Sequence, residues 1–193
     1  MNFIPISQPS ITQKEIDYVT DAVKSGWVSS LGEYVEKFEK MFSEYCDTKY
    51  SLTTSNGTVA LHLTLAALGI KQEDEVIVPN FTFIATANSV KYLGGKVITA
   101  DIDEETYCIS PKAIEKAITS KTKAIIPVHL YGHPANMAEI NKIAKKHNVF
   151  VIEDAAEAHG ADINGKKVGG LGDAGIFSLY GNKIITSGEG GII

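Results

Sequence analysis

Arginine is absent from this sequence of 193 residues, and all eighteen of its basic residues are lysines. Without arginine, no guanidinium group can clamp a carboxylate or a phosphate through two parallel hydrogen bonds. Any anion that this chain binds must therefore be held by backbone N–H groups, hydroxyl groups or lysines. The net charge is −5 and no polybasic run occurs, so the sequence offers no basic patch for nucleic acid.

Cysteine and long apolar runs are also scarce. Cys46 and Cys108 lie far apart and fit no metal-binding spacing, so we interpret both as reduced thiols that are buried or half-buried, and we predict no metal site. No apolar run approaches the ~20 residues of a membrane-spanning helix, and residues 1–10 are too polar and too rich in proline for a signal peptide. We therefore expect a cytoplasmic protein with no membrane partner.

The residues that are present alternate between strand and helix patterns. Apolar residues make up 44% of the chain and charged residues 21%, which is typical of a globular domain with a packed core. Thr12 and Glu15 form a capping box, which predicts a helix from near Gln13 to near Gly26. Further helices are predicted at 33–46, 57–68, 85–92, 111–118 and 136–147, and strands at 49–54, 75–79, 96–100, 123–128, 149–154, 175–180 and 189–193.

This alternation predicts an α/β fold: a three-layer, mostly parallel sheet with helices on both faces. We predict that residues 1–193 form one domain, because no repeat, low-complexity tract or long linker interrupts the pattern. The last segment has the pattern of the beginning of a strand and lacks the polar tail or closing helix of a domain end. We therefore expect the chain to be part of a longer protein.

Ligands of open α/β sheets bind at the carboxyl ends of the strands, so the residues there are candidates for a site. The segment 55–58, Ser-Asn-Gly-Thr, opens a helix and suits an anion, with a plain helix cap as the alternative. Phe83 is either a plate for a flat ligand or a core residue. Asp154 is either a buried carboxylate that needs a partner or a helix cap. Ser178 and Lys183 come at and after the end of a later strand.

Residues 170–175, Gly-Leu-Gly-Asp-Ala-Gly, match the G-x-G-x-x-G pattern of dinucleotide-binding loops. That fingerprint requires a strand before it and a helix after it. Here the strand-like run Ile-Phe-Ser-Leu-Tyr follows, so we interpret the glycines as a loop and not as a nicotinamide site.

Taken together, the strand ends describe a site for a flat cofactor that is anionic at one end. Pyridoxal 5'-phosphate has the matching needs. Its phosphate needs a helix N-terminus and hydroxyls, its ring an aromatic plate, its ring nitrogen a carboxylate, and its aldehyde a lysine that forms a Schiff base. The residues at the strand ends therefore predict pyridoxal 5'-phosphate as the cofactor.

Five segments, SNGTVALHL, DEVIVPNFTF, KAIIPVHLYGH, VIEDAAEAHGA and GDAGIFSLYGNKIITSGEGG, resemble the DegT/DnrJ/EryC1/StrS family. Members of this family are pyridoxal-phosphate aminotransferases that act on nucleotide-linked keto-sugars, with the fold-type-I aminotransferase architecture. The resemblance runs from the N-terminal IPISQPSIT to the last residue. It implies that Lys183 forms the Schiff base and moves the proton, and that Asp154 is the partner of the pyridinium nitrogen.

The resemblance also implies how the rest of the cofactor is held. Phe83 occupies the position of the ring-stacking residue. Gly57 and Thr58 through their backbone, and Ser178 through its hydroxyl, occupy the positions of the phosphate cradle. Glu157 stands where many members carry glutamine or histidine near the phenolic oxygen of the cofactor.

Within the family, GWVSS, HLYGH, EDAAEA and YGNKIITSGEGG look most similar to members that aminate C4 of GDP-4-keto-6-deoxymannose, with glutamate as the amino donor. Members that act on UDP- or dTDP-linked keto-sugars share most of these residues and stay an alternative. A sugar dehydratase on the same scaffold has histidine in place of the lysine. Family members are longer, have a C-terminal small domain and form homodimers, so an inactive truncated module is a further alternative.

Overall fold

The computed structural model describes residues 8–193. Residues 1–7, where the segment of family resemblance begins, lie outside the described residues. The helices are α1 (Gln13–Ser25), α2 (Glu33–Cys46), α3 (Gly57–Ala67), α4 (Ala85–Tyr92), α5 (Pro111–Ala117) and α6 (Met137–His147), with a short 3-10 turn at Leu130–Gly132. The strands are β1 (Thr53–Thr54), β2 (Glu75–Pro79), β3 (Lys96–Ala100), β4 (Thr122–Ile125), β5 (Phe150–Asp154), β6 (Asp162–Ile163), β7 (Lys166–Lys167), β8 (Ala174–Ser178) and β9 (Gly191–Ile192).

The central sheet has seven strands in the order β1-β9-β8-β5-β4-β2-β3. From β3 to β8 each strand runs parallel to its neighbour, with Ile77 opposite Ile98 and Asp154 opposite Ile176. β9 is antiparallel to both of its neighbours, and β6 and β7 form a separate hairpin. The predicted α/β fold with a mostly parallel sheet is therefore confirmed.

Both faces of the sheet are covered, which gives the three predicted layers. Along β2, Val76 and Val78 pack into a core with α3 and α4, whereas Ile77 between them packs into a second core with α5 and α6. Alternate residues of a strand point to opposite faces, so a run of apolar residues fills both cores. A third cluster places α2 against the end of β8, where the rings of Phe42 and Phe177 meet edge to face at 5.0 Å.

The capping box at Thr12 and Glu15 starts α1, and Gly26 ends it in a left-handed conformation, as predicted. Five strands are shorter than predicted, and those predicted at 49–54 and 189–193 keep two residues each. β4 ends at Ile125, two residues before Pro127, which has no N–H to extend the ladder. Of the residues 49–54, only two form β1, because its partner β9 is itself two residues long.

Cys46 and Cys108 are buried free thiols, as expected from the sequence. Burial raises the pKa of the Cys46 thiol to about 11, which keeps it in the unreactive thiol form. Within residues 8–193, none of the helices combines the length and the apolar character that a membrane crossing requires.

Candidate active site

The carboxyl ends of the parallel strands open into a cavity of about 640 Å³. β5 and β8 form its floor, and the first turns of α3 and α4 form its walls. The structure brings all seven site residues predicted from the sequence to the lining of this cavity: Gly57, Thr58, Phe83, Asp154, Glu157, Ser178 and Lys183. They come from five separate stretches of the chain, so the fold and not local sequence assembles them.

Asp154 ends β5 and is 5% exposed. Its Oδ2 accepts a hydrogen bond of 2.7 Å from the hydroxyl of Thr86 in the first turn of α4, and its Oδ1 accepts one of 3.3 Å from the N–H of Ala156. No helix begins after Asp154, so the alternative of a helix cap is wrong. Thr86 was not predicted, because it lies 68 positions away in sequence.

Burial raises the pKa of the Asp154 carboxyl. The hydroxyl of Thr86, the N–H of Ala156 and the nearby ammonium group of Lys183 oppose this rise, because each favours the ionised form. A carboxyl with this balance binds a proton more readily than an exposed aspartate. It is also ready to share a proton with a basic nitrogen that enters the cavity.

Lys183 lies in an irregular loop that follows β8, with its backbone N–H bonded to the carbonyl of Tyr180 at 2.9 Å. Its side chain is 18% exposed, and its Nζ stands 3.7 Å from Oε1 of Glu157. The second oxygen of Glu157 accepts a hydrogen bond of 3.0 Å from the N–H of Tyr131. Glu157 is therefore fixed on one side and faces the lysine on the other.

Tyr131 supplies that N–H from a left-handed backbone conformation, with φ 50°. This conformation is rare for a residue with a side chain and persists only where the surroundings enforce it. A strained residue beside Glu157 is the kind of feature that functional sites carry.

The first turn of α3 forms part of the cavity lining. Asn56, and not Ser55, caps this helix, because its side chain accepts a hydrogen bond of 2.9 Å from the N–H of Val59. The N–H groups of Gly57 and Thr58 then have no partner inside the helix, and the helix dipole makes this end attractive to an anion. The helix is therefore capped, as the plain-cap alternative predicts, but this cap leaves the N–H groups of Gly57 and Thr58 available to an anion.

Gly57 packs directly against Ser178 at the end of β8. A Cβ placed on Gly57 would lie 3.0 Å from the Cβ of Ser178, which is closer than almost all real contacts. Glycine at this position lets the helix end approach the serine, so that backbone N–H groups and a hydroxyl lie together. Phe83, which also belongs to the lining, is 74% exposed and is therefore not a core residue.

The charges that line the cavity are unbalanced. Three carboxylates, those of Asp154, Glu157 and Glu189, line it together with the single cation Lys183. Among the described residues no other lysine reaches the lining, and the sequence holds no arginine. An anionic ligand in this cavity must therefore be held by Lys183, by the helix end and hydroxyls, or by a cation from outside the described part of the chain.

The fold and this cavity define a class of α/β enzyme with a lysine and a buried carboxylate at the strand ends. The DegT/DnrJ/EryC1/StrS aminotransferase family model matches residues 9–193. The chain belongs to this family, which confirms the family predicted from the motifs.

Among curated relatives, GDP-perosamine synthase of Escherichia coli O157:H7 is 54% identical over 193 residues, which is 100% of this chain and 53% of that protein. GDP-perosamine synthase of Caulobacter vibrioides is 50% identical over 190 residues, which is 98% of this chain and 51% of that protein. The chain thus spans about half the length of the curated relatives that it matches.

Solved structures give the same result for the fold. An aminotransferase from Psychrobacter cryohalolentis superposes with a TM-score of 0.94 at 44% identity, covering 99% of this chain and 48% of that one. The PLP form of a putative sugar aminotransferase from Streptococcus pneumoniae gives 0.93 at 32% identity, covering 98% and 52%. A variant GDP-4-keto-6-deoxymannose-3-dehydratase with bound GDP-perosamine gives 0.92 at 33%, covering 97% and 50%.

Proposed function

We propose that the cavity binds pyridoxal 5'-phosphate and that the protein transfers an amino group to a nucleotide-linked 4-keto-6-deoxy sugar. The observation that carries this proposal is the placement of Lys183 and the buried carboxylate of Asp154 in one cavity. A lysine and a shielded carboxylate are the two side chains that this cofactor needs for its aldehyde and for its ring nitrogen.

The remaining lining residues fit the same cofactor. The close approach of Gly57 to Ser178, which a Cβ would obstruct, leaves a compact group of N–H donors and a hydroxyl for a phosphate. Phe83 has an exposed ring on the wall of the cavity, free to cover a flat heterocycle. We infer that Gly57, Thr58 and Ser178 hold the phosphate and that Phe83 covers the ring.

When bound, pyridoxal phosphate supplies an electron sink for the carbon that gains or loses the amino group. The residues of the chain supply position and protons. Asp154, held by Thr86 and Ala156, keeps a proton at the ring nitrogen. The amine of Lys183 acts first as a general base and then as a general acid, so that it accepts a proton from one reacting atom and donates it to another. Glu157 lies 3.7 Å from that amine and limits where its nitrogen can stand.

We further propose GDP-4-keto-6-deoxymannose as the sugar substrate and glutamate as the amino donor. The support is the identity of 54% and 50% to two GDP-perosamine synthases over nearly the whole chain. A lysine at position 183 fits amine transfer and opposes the dehydratase alternative, which has histidine at that position. Aminotransferases for UDP- or dTDP-linked sugars stay the alternative, because family members that act on those sugars share most of the motif residues of this sequence.

The unbalanced charge of the cavity supports a homodimer as the working form. The cofactor phosphate, the glutamate carboxylates and the sugar diphosphate are all anions, and Lys183 is consumed by its link to the cofactor. A second copy of the protein is a source of the missing cations. We therefore propose a homodimer in which a cation of the second copy completes each cavity.

The experiment is a lysine replacement in the complete gene product, purified with pyridoxal phosphate. Lys183→Ala is expected to abolish both the visible absorbance of the lysine–cofactor link and the amination of GDP-4-keto-6-deoxymannose. Borohydride followed by peptide mass spectrometry is expected to place the reduced label on Lys183 alone. Lys166→Ala, in the hairpin β6–β7 and away from the cavity lining, is the matched control and is expected to keep both properties.

A label on another lysine, or near-normal turnover of Lys183→Ala, would contradict the assignment. Parallel assays with UDP- and dTDP-linked 4-keto-6-deoxy sugars separate the substrate proposal from the cofactor proposal. Water loss without amine transfer would instead favour the dehydratase.

A further inference from the structure

Next to Asp154, on the opposite face of β5, lies a buried pair of ionisable side chains that the proposed chemistry does not use. Glu153 and His129 are both fully buried, and Nε2 of His129 lies 2.9 Å from Oε2 of Glu153. A carboxylate with no access to water is costly unless donors surround it. The identity of those donors indicates what the pair does.

Three backbone N–H groups of one loop converge on Glu153. That of Gly169 donates to Oε2 at 2.8 Å, and those of Leu171 and Gly172 donate to Oε1 at 2.7 Å each. With His129 as a fourth donor, both oxygens of the carboxylate are satisfied, as a buried charge requires. Glu153 is therefore a fixed anchor at the end of β5.

The ring of His129 is fixed at both nitrogens. Its Nδ1 accepts a hydrogen bond of 3.0 Å from the N–H of Ala135, so the ring proton lies on Nε2 and is donated to Glu153. The backbone N–H of His129 donates to the carbonyl of Asp154 at 3.0 Å. The turn over residues 129–135 is thus tied to β5 at its first residue and to the same ring at its last.

We propose that Glu153 and His129 are positioning residues for Lys183, acting through this turn. The turn contains Tyr131, whose left-handed backbone directs its N–H to Glu157 at 3.0 Å. Glu157 in turn faces the lysine at 3.7 Å. The pair holds the ends of the turn, the turn holds the N–H of Tyr131, and that N–H fixes the carboxylate that limits the position of Lys183. The relevance of this positioning role to catalysis rests on the proposed function.

The test compares three substitutions in the complete gene product. His129→Phe keeps a ring and removes both hydrogen bonds. His129→Gln keeps a donor for Glu153 and removes the acceptor for Ala135. His133→Phe is the matched control, since His133 is an exposed residue of the same turn and, among the described residues, its ring hydrogen-bonds only to the carbonyl of Pro134.

The first readout is hydrogen exchange of residues 129–135 in protein free of cofactor. Loss of both ring bonds is expected to speed exchange of the Tyr131 amide about tenfold, with a smaller increase in His129→Gln and none in His133→Phe. The second readout is the pH midpoint of the visible absorbance of the lysine–cofactor link. It is expected to move downward by ~0.5 pH unit or more in His129→Phe, because Glu157 no longer holds its negative charge beside that nitrogen.

Wild-type exchange in a folded His129→Phe variant would overturn the inference. Faster exchange with an unchanged midpoint would also overturn it, since the pair would then be structural only. If His129→Phe does not fold, the same two comparisons in His129→Gln decide. A wild-type protein that forms no link at Lys183 refutes the proposed function instead, and the exchange experiment still tests whether the pair holds the turn.

Discussion

His159 offers a sharp test of how this structure responds to pH. Both of its ring nitrogens are buried without a hydrogen-bond partner among the described residues, and the ring lies 5.2 Å from that of Phe177. Burial, and then the positive charge of Lys183, lowers the pKa of His159 from 6.5 to about 4. Between pH 6.5 and about 4, the ring of His159 therefore stays neutral in the folded protein and becomes protonated in the unfolded chain.

The sign and size of the effect follow from this difference in pKa. The contribution of the neutral His159 ring to the free energy of unfolding is fully present above pH 6.5. It is lost as the pH falls from there towards 4, because only the unfolded chain gains the proton in this range. At pH 5 the loss amounts to ~2 kcal/mol for a fully buried ring. Water reaches part of this side chain, so we expect ~1 kcal/mol, or a change in Tm of a few degrees.

The perturbation is His159→Phe, which keeps a ring against Phe177 and cannot bind a proton. Thermal unfolding of the cofactor-free protein is measured at pH 8 and at pH 5. The variant is expected to gain on the wild type by ~1 kcal/mol between these two conditions. His133→Phe provides the baseline for replacing a histidine that water reaches. A difference between variant and wild type that stays constant from pH 8 to pH 5 would refute the reasoning.

Two further predictions concern backbone packing and the buried carboxylate. Gly175→Ala is expected to destabilise the fold by ~3 kcal/mol or more, because the new Cβ would lie 2.3 Å from the Cα of Gly169. Gly181→Ala, whose Cβ would meet nothing nearer than 3.9 Å, is the matched control in the same chemical denaturation experiment and is expected to change stability by ~1 kcal/mol at most. Asp154→Asn is expected to raise the Tm of the cofactor-free protein at neutral pH. Burial raises the pKa of the Asp154 carboxyl, so the folded wild type loses stability as the pH rises and this carboxyl ionises. Asparagine carries no charge and avoids that loss. The gain in Tm should vanish in acid, where the wild-type carboxyl is also neutral. At neutral pH the variant is expected to bind pyridoxal phosphate but to transaminate more slowly by orders of magnitude. A lower Tm than that of the wild type at neutral pH would contradict this reasoning.

The sheet and its helices could be predicted because their signals are local. The helix at 85–92 and the strand at 75–79 were predicted with the bounds that the structure gives, since periodicity and turn residues define such elements within a short window. The hairpin β6–β7 was missed, although Asn164 and Gly165 form the strongest short-range hairpin signal. Its strands are two residues long and carry no alternating pattern that could be recognised.

Only those residues of the candidate site that lie at or soon after the end of a strand could be predicted from the sequence. Asp154 and Lys183 stand out because polar residues follow apolar runs. Thr86 did not stand out, since its contact with Asp154 depends on how α4 lies across β5. Glu153 did not stand out either. Besides His129, its partners are backbone N–H groups, and these carry no signature in side-chain chemistry.

Glu153 also explains the glycine pattern that resembles a dinucleotide fingerprint. A Cβ on Gly170 would lie 2.3 Å from the carbonyl oxygen of Cys46, and one on Gly172 would lie 2.7 Å from that of Val151. These glycines let the loop press against the backbone, so that its N–H groups reach the buried carboxylate.

A chain without arginine thus directs backbone N–H groups at anions in two places. The loop over residues 169–172 surrounds its own Glu153 and has no room for another anion. The start of α3, by contrast, opens into a cavity beside Ser178, and no carboxylate of the described chain accepts from Gly57 or Thr58. Glycine spacing alone cannot separate these two cases, because both need a close approach of the backbone. What separates them is whether a side chain of the protein already accepts from the N–H groups. That criterion supports the proposal that the N-terminus of α3 holds an external anion.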